Sequence, residues 1–160
     1  MTVPSSTSFL IAQQELDDAR KDPLLKSVII SDLEKETLVF AAKMQTPIDD
    51  QVYLMDFKLD NYKEWPPLIE FIEPDTGVRG TQYAYPQGKE DGFFHGKPCI
   101  CNPCSRKAFK DYGDLHKEWD INKWQQMQEV NSLTDLKSIL KAIHGRIINP
   151  KYYQGRMGTK

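Results

Sequence analysis

Between residues 28 and 72, four short apolar runs follow one another at hairpin distances, and this spacing constrains the fold more than any other feature of the chain. The runs are 28–30, 38–44, 52–59 and 68–72, parted by polar or proline-bearing turns such as the charged stretch 32–36. The third run alternates, with Val52, Leu54 and Asp56 set against Tyr53, Met55 and Phe57. That is the period of a half-buried strand. Runs of this kind, separated by turns, predict an antiparallel meander.

A helical pattern stands on each side. Phe9, Ala12, Leu16 and Ala19 recur at helical spacing up to about Lys21, after a cap among residues 5–8. Pro23 ends this helix, because proline disfavours helical geometry in the residue before it. Leu133, Leu136, Ile139, Leu140, Ile143 and Ile147 mark a second amphipathic helix, with Ser132 or Thr134 as its cap and Pro150 as its stop. Residues 73–96 carry turn formers throughout and predict a long loop without regular structure, a feature that tends to be functional. Residues 105–112 can form a short helix, Trp119 and Trp124 read as packed aromatics, and Tyr152, Tyr153 and Met157 as a packed tail. The order is helix, four strands, loop, cysteines, helix, which is α+β in one domain over residues 1–160.

The chain has 160 residues, 39% of them hydrophobic and 28% charged, enough for one well-cored domain. A net charge of −2 gives no reason to expect nucleic acid or an anionic membrane as partner. No apolar run reaches the length of a membrane span and no signal-peptide pattern opens the chain, so the expected location is cytoplasmic. Three cysteines, odd in number and tightly grouped, make a poor disulfide framework and suit a reducing compartment.

Those cysteines fall in G-K-P-C-I-C-N-P-C, residues 96–104. Three readings compete. Buried cysteines usually just line a core. With His95, the set Cys99, Cys101 and Cys104 offers four zinc-type ligands, although C-x-C-x2-C is not a usual knuckle spacing and no second C-x2-C pair closes a site. The third reading is a nucleophile, since a thiolate attacks an activated carbonyl well and leaves again readily.

A resemblance favours the nucleophile. The run V-Y-L-M-D-F-K-L-D-N-Y-K-E-W-P-P, followed by L-I-E-F, is similar to the third and fourth strands of ubiquitin-conjugating enzymes, with Tyr62, Pro66 and Pro67 at the spacing of that family's tyrosine and paired prolines. G-K-P-C-I-C resembles the approach to the family's catalytic cysteine and picks out Cys101. Trp119, Trp124 and the later T-D-L-K-S-I-L-K-A-I resemble the tryptophan and helix beyond that site. H-K-E-W-D-I-N-K-W, residues 116–124, looks most like the tail-anchored group. The likeness runs through nearly the whole chain in order. There are departures: no His-Pro-Asn motif stands upstream of the cysteine, Trp65 sits one residue later than the aromatic that ligases contact, and Glu15, Asp17 and Asp18 make the first helix acidic. Such a pattern resembles the divergent conjugating enzymes of bacterial antiviral-defence operons.

The resemblance implies a UBC-like fold and a thioester on Cys101, accepted from an activating enzyme that carries a ubiquitin-like modifier and passed to an amine of a protein substrate. It implies no cofactor and no metal at this step. Cys104 and Cys99 stand second and third as nucleophile, and the three can form disulfides on oxidation. Lys97, Arg106 and Lys107 suggest a favourable field around the cluster. For the oxyanion the candidates are Asn102, His95, His116 or a backbone amide, with His116 preferred because the tail-anchored group has a histidine at a similar place. For the incoming amine, Asp111, Asp114 and Asp120 lie in the right segment. The implied site set is Cys101, His116, Asp120 and Asn102. The alternatives are a non-catalytic binding module of the same fold and a small zinc-binding domain.

Overall fold

The meander forms as the apolar runs predict. In the computed structural model, which describes residues 2–89, 92–94, 96–127 and 133–158, strands β1 (Ile29–Ile30), β2 (Val39–Gln45), β3 (Val52–Lys58) and β4 (Leu68–Ile72) pair in sequence order as one antiparallel sheet. The register places Phe40 opposite Phe57, Met44 opposite Tyr53 and Met55 opposite Phe71. Because side chains alternate along a strand, this register puts Phe40, Met44, Tyr53, Met55, Phe57, Ile69 and Phe71 on one buried face. Phe40 and Phe57 stack with centroids 4.5 Å apart. β2 starts one residue later than expected, since Leu38 takes a left-handed backbone (φ 57°) at the turn.

Helix α1 (Ser5–Lys21) turns Ala12, Leu16 and Ala19 inward and packs on the C-terminal helix. Its start differs from expectation. No serine hydroxyl caps it; the Pro4 carbonyl takes the Thr7 and Ser8 amides, and the buried Ser8 hydroxyl donates to the Tyr62 carbonyl instead. Its end is as the proline requires: Asp22 is extended (φ −76°, ψ 121°), and its carboxylate accepts the Leu24 amide at 2.9 Å.

Residues 73–89, the first part of that stretch, are more ordered than a loop reading allows. Glu73 and Val78 close a turn, Arg79 bridges back to Ile72, and β5 (Pro86–Gly88) pairs with a strand from the tail. Helix α2 (Arg106–Tyr112) follows the cysteines, and α3 (Leu136–Ile147) buries Leu136, Ile139, Leu140, Ile143 and Ile147. The cap of α3 is Asp135, one residue after Thr134, accepting from the Ser138 amide at 2.7 Å; Ser132, the other expected cap, lies outside the described residues. A carboxylate outcompetes the neighbouring hydroxyl at this job because it also meets the positive end of the helix dipole. Glu15 of α1 adds a second acceptor, taking the Leu136 amide at 2.8 Å. The tail strand β6 (Tyr153–Arg156) buries Tyr153 and is followed by buried Met157, as a packed tail should be. Among the described residues no helix is long and apolar enough to cross a membrane.

His144 on α3 is 8% exposed, and its Nε2 lies 3.4 Å from the Ser27 hydroxyl. Burial holds its pKa below the usual 6.5. The unfolded chain therefore binds a proton that the folded one resists. Stability is unaffected above about pH 6.5 and falls as pH drops through that value, by up to about 1.4 kcal/mol per pH unit. Urea unfolding between pH 5 and 7 should show that acid slope reduced in His144→Gln; an unchanged slope would assign it elsewhere.

Candidate active site

The cysteine loop is held from both sides by backbone. On one side, the Gly88 amide donates to the Phe94 carbonyl and the Cys101 amide to the Phe93 carbonyl, each at 2.9 Å. This close approach needs glycine at 88, since a Cβ there would fall 2.5 Å from the Phe94 oxygen. On the other side, Arg106 opens α2 and ties it to the connection between β3 and β4. Its amide donates to the Pro67 carbonyl at 3.0 Å, Nε to the Pro66 carbonyl at 3.0 Å, and its terminal nitrogens to the Asp60 carboxylate (2.8 Å) and carbonyl (2.9 Å). The proline pair, which has no amide to give, thus offers two carbonyls to one arginine.

Within the loop, Ile100 is 1% exposed, Cys99 3% and Cys104 fully buried, while Cys101 is half-buried. All three thiols are free. Burial pushes Cys99 and Cys104 up to about 12, which keeps both protonated. That argues against either as a nucleophile. Cys101 is also raised by burial.

The expected positive field does not fall on Cys101. Arg106 is turned toward Asp60 and the backbone, Lys107 lies 2.7 Å from Asp111 and 3.7 Å from Glu70, and the Lys97 ammonium sits 5.1 Å from the centre of the Tyr112 ring. Lys107 and Lys97 act instead on Cys99. The pairing is decided by carboxylates on α2 and β4 that the linear order of the basic residues does not reveal.

Cys101 finds a different partner. Its Sγ lies 3.2 Å from Nε2 of His116, fifteen residues later. The histidine follows a tight 3-10 turn (Gly113–Leu115), its amide donating to the Gly113 carbonyl. Its ring stacks on Trp119 with centroids 3.7 Å apart and an 8° interplanar angle, and Trp119 leans on Phe109 at 5.4 Å. The imidazole plane is thereby set so that a ring nitrogen faces the sulfur. The structure thus pairs His116 with the thiol, where the sequence suggested an oxyanion donor.

The other expected site residues serve the local turns. Asn102 Oδ1 accepts the Cys104 amide at 2.9 Å. Asp120 accepts the Asn122 amide at 3.0 Å and heads the turn Ile121–Lys123, whose Asn122 in turn accepts from the Trp65 indole at 3.2 Å. Asp111 is paired with Lys107, and Asp114 is exposed within its turn. The amides of residues 99, 101, 102, 104 and 105 all donate within the loop or to Phe93, so none of these five points at the sulfur's surroundings. Among the described residues no three His, Cys, Asp or Glu side chains are gathered to hold a metal ion. His95, proposed both as ligand and as donor, lies outside the described residues.

Beside the pair, Trp65, Phe109, Trp119 and Ile121 line an open groove of about 560 Å³. Sequence reasoning missed this groove and the Cys101–His116 contact; the H-x2-W spacing of His116 and Trp119 was the one local signal for the stack. No family model, no curated protein and no solved structure matches the chain.

Proposed function

We propose that the chain is a ubiquitin-conjugating-type acyltransferase of UBC-like fold, with Cys101 as the residue that carries the acyl group. The observation that carries this reading is the 3.2 Å contact between a half-buried thiol and His116. An acyl carrier needs a sulfur that solvent and a macromolecular donor can reach, plus a group to take and return its proton. Cys99 and Cys104 lack the first. The helix–meander–cysteine–helix order agrees with the resemblance, and so do the proline pair Pro66 and Pro67 as a junction with Arg106 of α2 and the buried Tyr62 bonded to Glu15 of α1.

In the first step His116 accepts the Cys101 proton as the sulfur attacks the thioester carbonyl held on the activating enzyme. The tetrahedral intermediate collapses by breaking the donor's C–S bond, and the departing thiolate takes a proton. In the second step a neutral amine of a protein substrate attacks the Cys101 thioester, the new C–N bond forms as the C–S bond breaks, and the proton shed by the nitrogen passes by way of His116 to the departing sulfur. The acyl group is the C-terminus of a ubiquitin-like modifier, in a cytoplasmic pathway of the antiphage-defence kind, without nucleic acid or membrane as partner. ATP is consumed by the activating enzyme, so no cofactor is needed here.

The test incubates the protein with activating enzyme, ATP and modifier from the same source, and in parallel with a small acyl thioester. An adduct on Cys101 that reducing agent removes supports the reading, and absence of both adducts refutes it. Formation of the adduct should fall about 10²-fold in His116→Ala, the usual scale for loss of a positioned base. Because burial raises the Cys101 thiol, its alkylation by iodoacetamide should climb with pH through and beyond the ordinary cysteine range. A plateau already at pH 7 would show an ion pair instead.

A further inference from the structure

We infer that the Cys101–His116 pair also hydrolyses the thioester it forms, so that water is the default acceptor whenever no amine is bound. This rests on the reading of Cys101 as the acyl carrier. The geometry supplies the argument. In the free enzyme His116 Nε2 faces Sγ at 3.2 Å. Once Sγ is acylated it has no proton to share, and the imidazole is left within reach of whatever approaches the carbonyl carbon, one bond from the sulfur. The ring cannot swing away freely, since Trp119 covers one face at 3.7 Å and Phe109 backs Trp119. Cys101 and His116 are both half-buried rather than enclosed, so water reaches them.

The two acceptors place different demands on the site. A lysine amine, with an ordinary pKa near 10.4, arrives charged at neutral pH and must first lose a proton. The carboxylates of the following segment, Asp111 and Asp120, are engaged with Lys107 and the Asn122 amide. Water needs only a base beside it, and His116 stands at that place. The step balances. A water O–H proton passes to Nε2 as the oxygen bonds to the carbonyl carbon; the C–S bond breaks, the acyl group leaves as a carboxylic acid, and the Cys101 thiolate recovers its proton from the imidazolium. No oxidant, reductant or metal enters.

The experiment uses the acetyl thioester of N-acetylcysteamine as acyl donor. Wild type and His116→Gln are acylated to completion at alkaline pH, freed of donor and followed by mass spectrometry, with the acyl group placed on Cys101 by peptide mapping. The acyl-enzyme of wild type should decay at least about tenfold faster than that of His116→Gln. Added imidazole should speed decay in the variant. Equal lifetimes would overturn the inference while leaving the acyl-carrier reading intact, provided acyl transfer to an added amine is still seen. Failure of Cys101 to acylate at all overturns both.

Discussion

Cys101→Ala should abolish the reducing-agent-sensitive adduct completely, and Cys99→Ala and Cys104→Ala should each retain it. The asymmetry follows from burial. Cys99 and Cys104 have 3% and 0% exposure, with thiols pushed to about 12, so neither meets an acyl donor without unfolding. Cys101 is half-buried and has His116 within 3.2 Å. Cys101→Ser should form no appreciable adduct at neutral pH, because an alkoxide is far less accessible than a thiolate. The measurement is non-reducing electrophoresis with mass spectrometry of the adduct. Stability should hardly change in Cys101→Ala, within about 1 kcal/mol, since a half-buried sulfur leaves only a small, solvent-reachable gap. In Cys104→Ala a fully buried sulfur is removed, and its stability should drop while its chemistry survives. An adduct that persists in Cys101→Ala would dismiss the site.

Arg106→Ala should cost about 3 kcal/mol, read from urea unfolding. Arg106 is 9% exposed and answers carbonyls of Lys58, Asp60 and Pro66 as well as the Asp60 carboxylate. The ion pair itself contributes little of this, because the Asp60 side chain is 45% exposed and water screens it. The larger part is the carbonyl oxygens left without a donor where α2 meets the proline pair. Arg106→Lys should recover only a minor share, since an ammonium cannot fork among acceptors that lie in several directions. A loss below about 1 kcal/mol in Arg106→Ala would mean that water replaces the guanidinium there.

How far the sequence was legible differs between elements for reasons that can be named. β4 has the bounds that its apolar run predicts, and β3 buries Tyr53, Met55 and Phe57 as its alternation requires. These are strands whose register is imposed by one buried face. β5 is Pro-Gln-Gly, a stretch with no strand pattern, and exists because β6 brings it a partner from the tail. The cap of α3 is Asp135 where the pattern offers Ser132 or Thr134: several cap-forming residues stand in a row, and the carboxylate also meets the helix dipole. Lys97 and Lys107 flank the cluster in linear order, but α2 directs Lys107 to Asp111 and Glu70.

By itself the sequence determined the α+β order and the inward face of each long element. Both follow from local periodicity, which the chain carries whatever its partners in space; among the three cysteines only the family resemblance singled one out. Only the tertiary structure decided that His116 meets the sulfur, that Trp119 orients it, that Arg106 supports the loop, and that the basic residues serve Cys99 and the carboxylates. Those contacts join residues that no periodicity relates. Their geometry depends on a 3-10 turn, a proline junction and a packed helix arriving together, and side-chain chemistry at such a meeting is set by distances of a few ångströms that order along the chain does not encode.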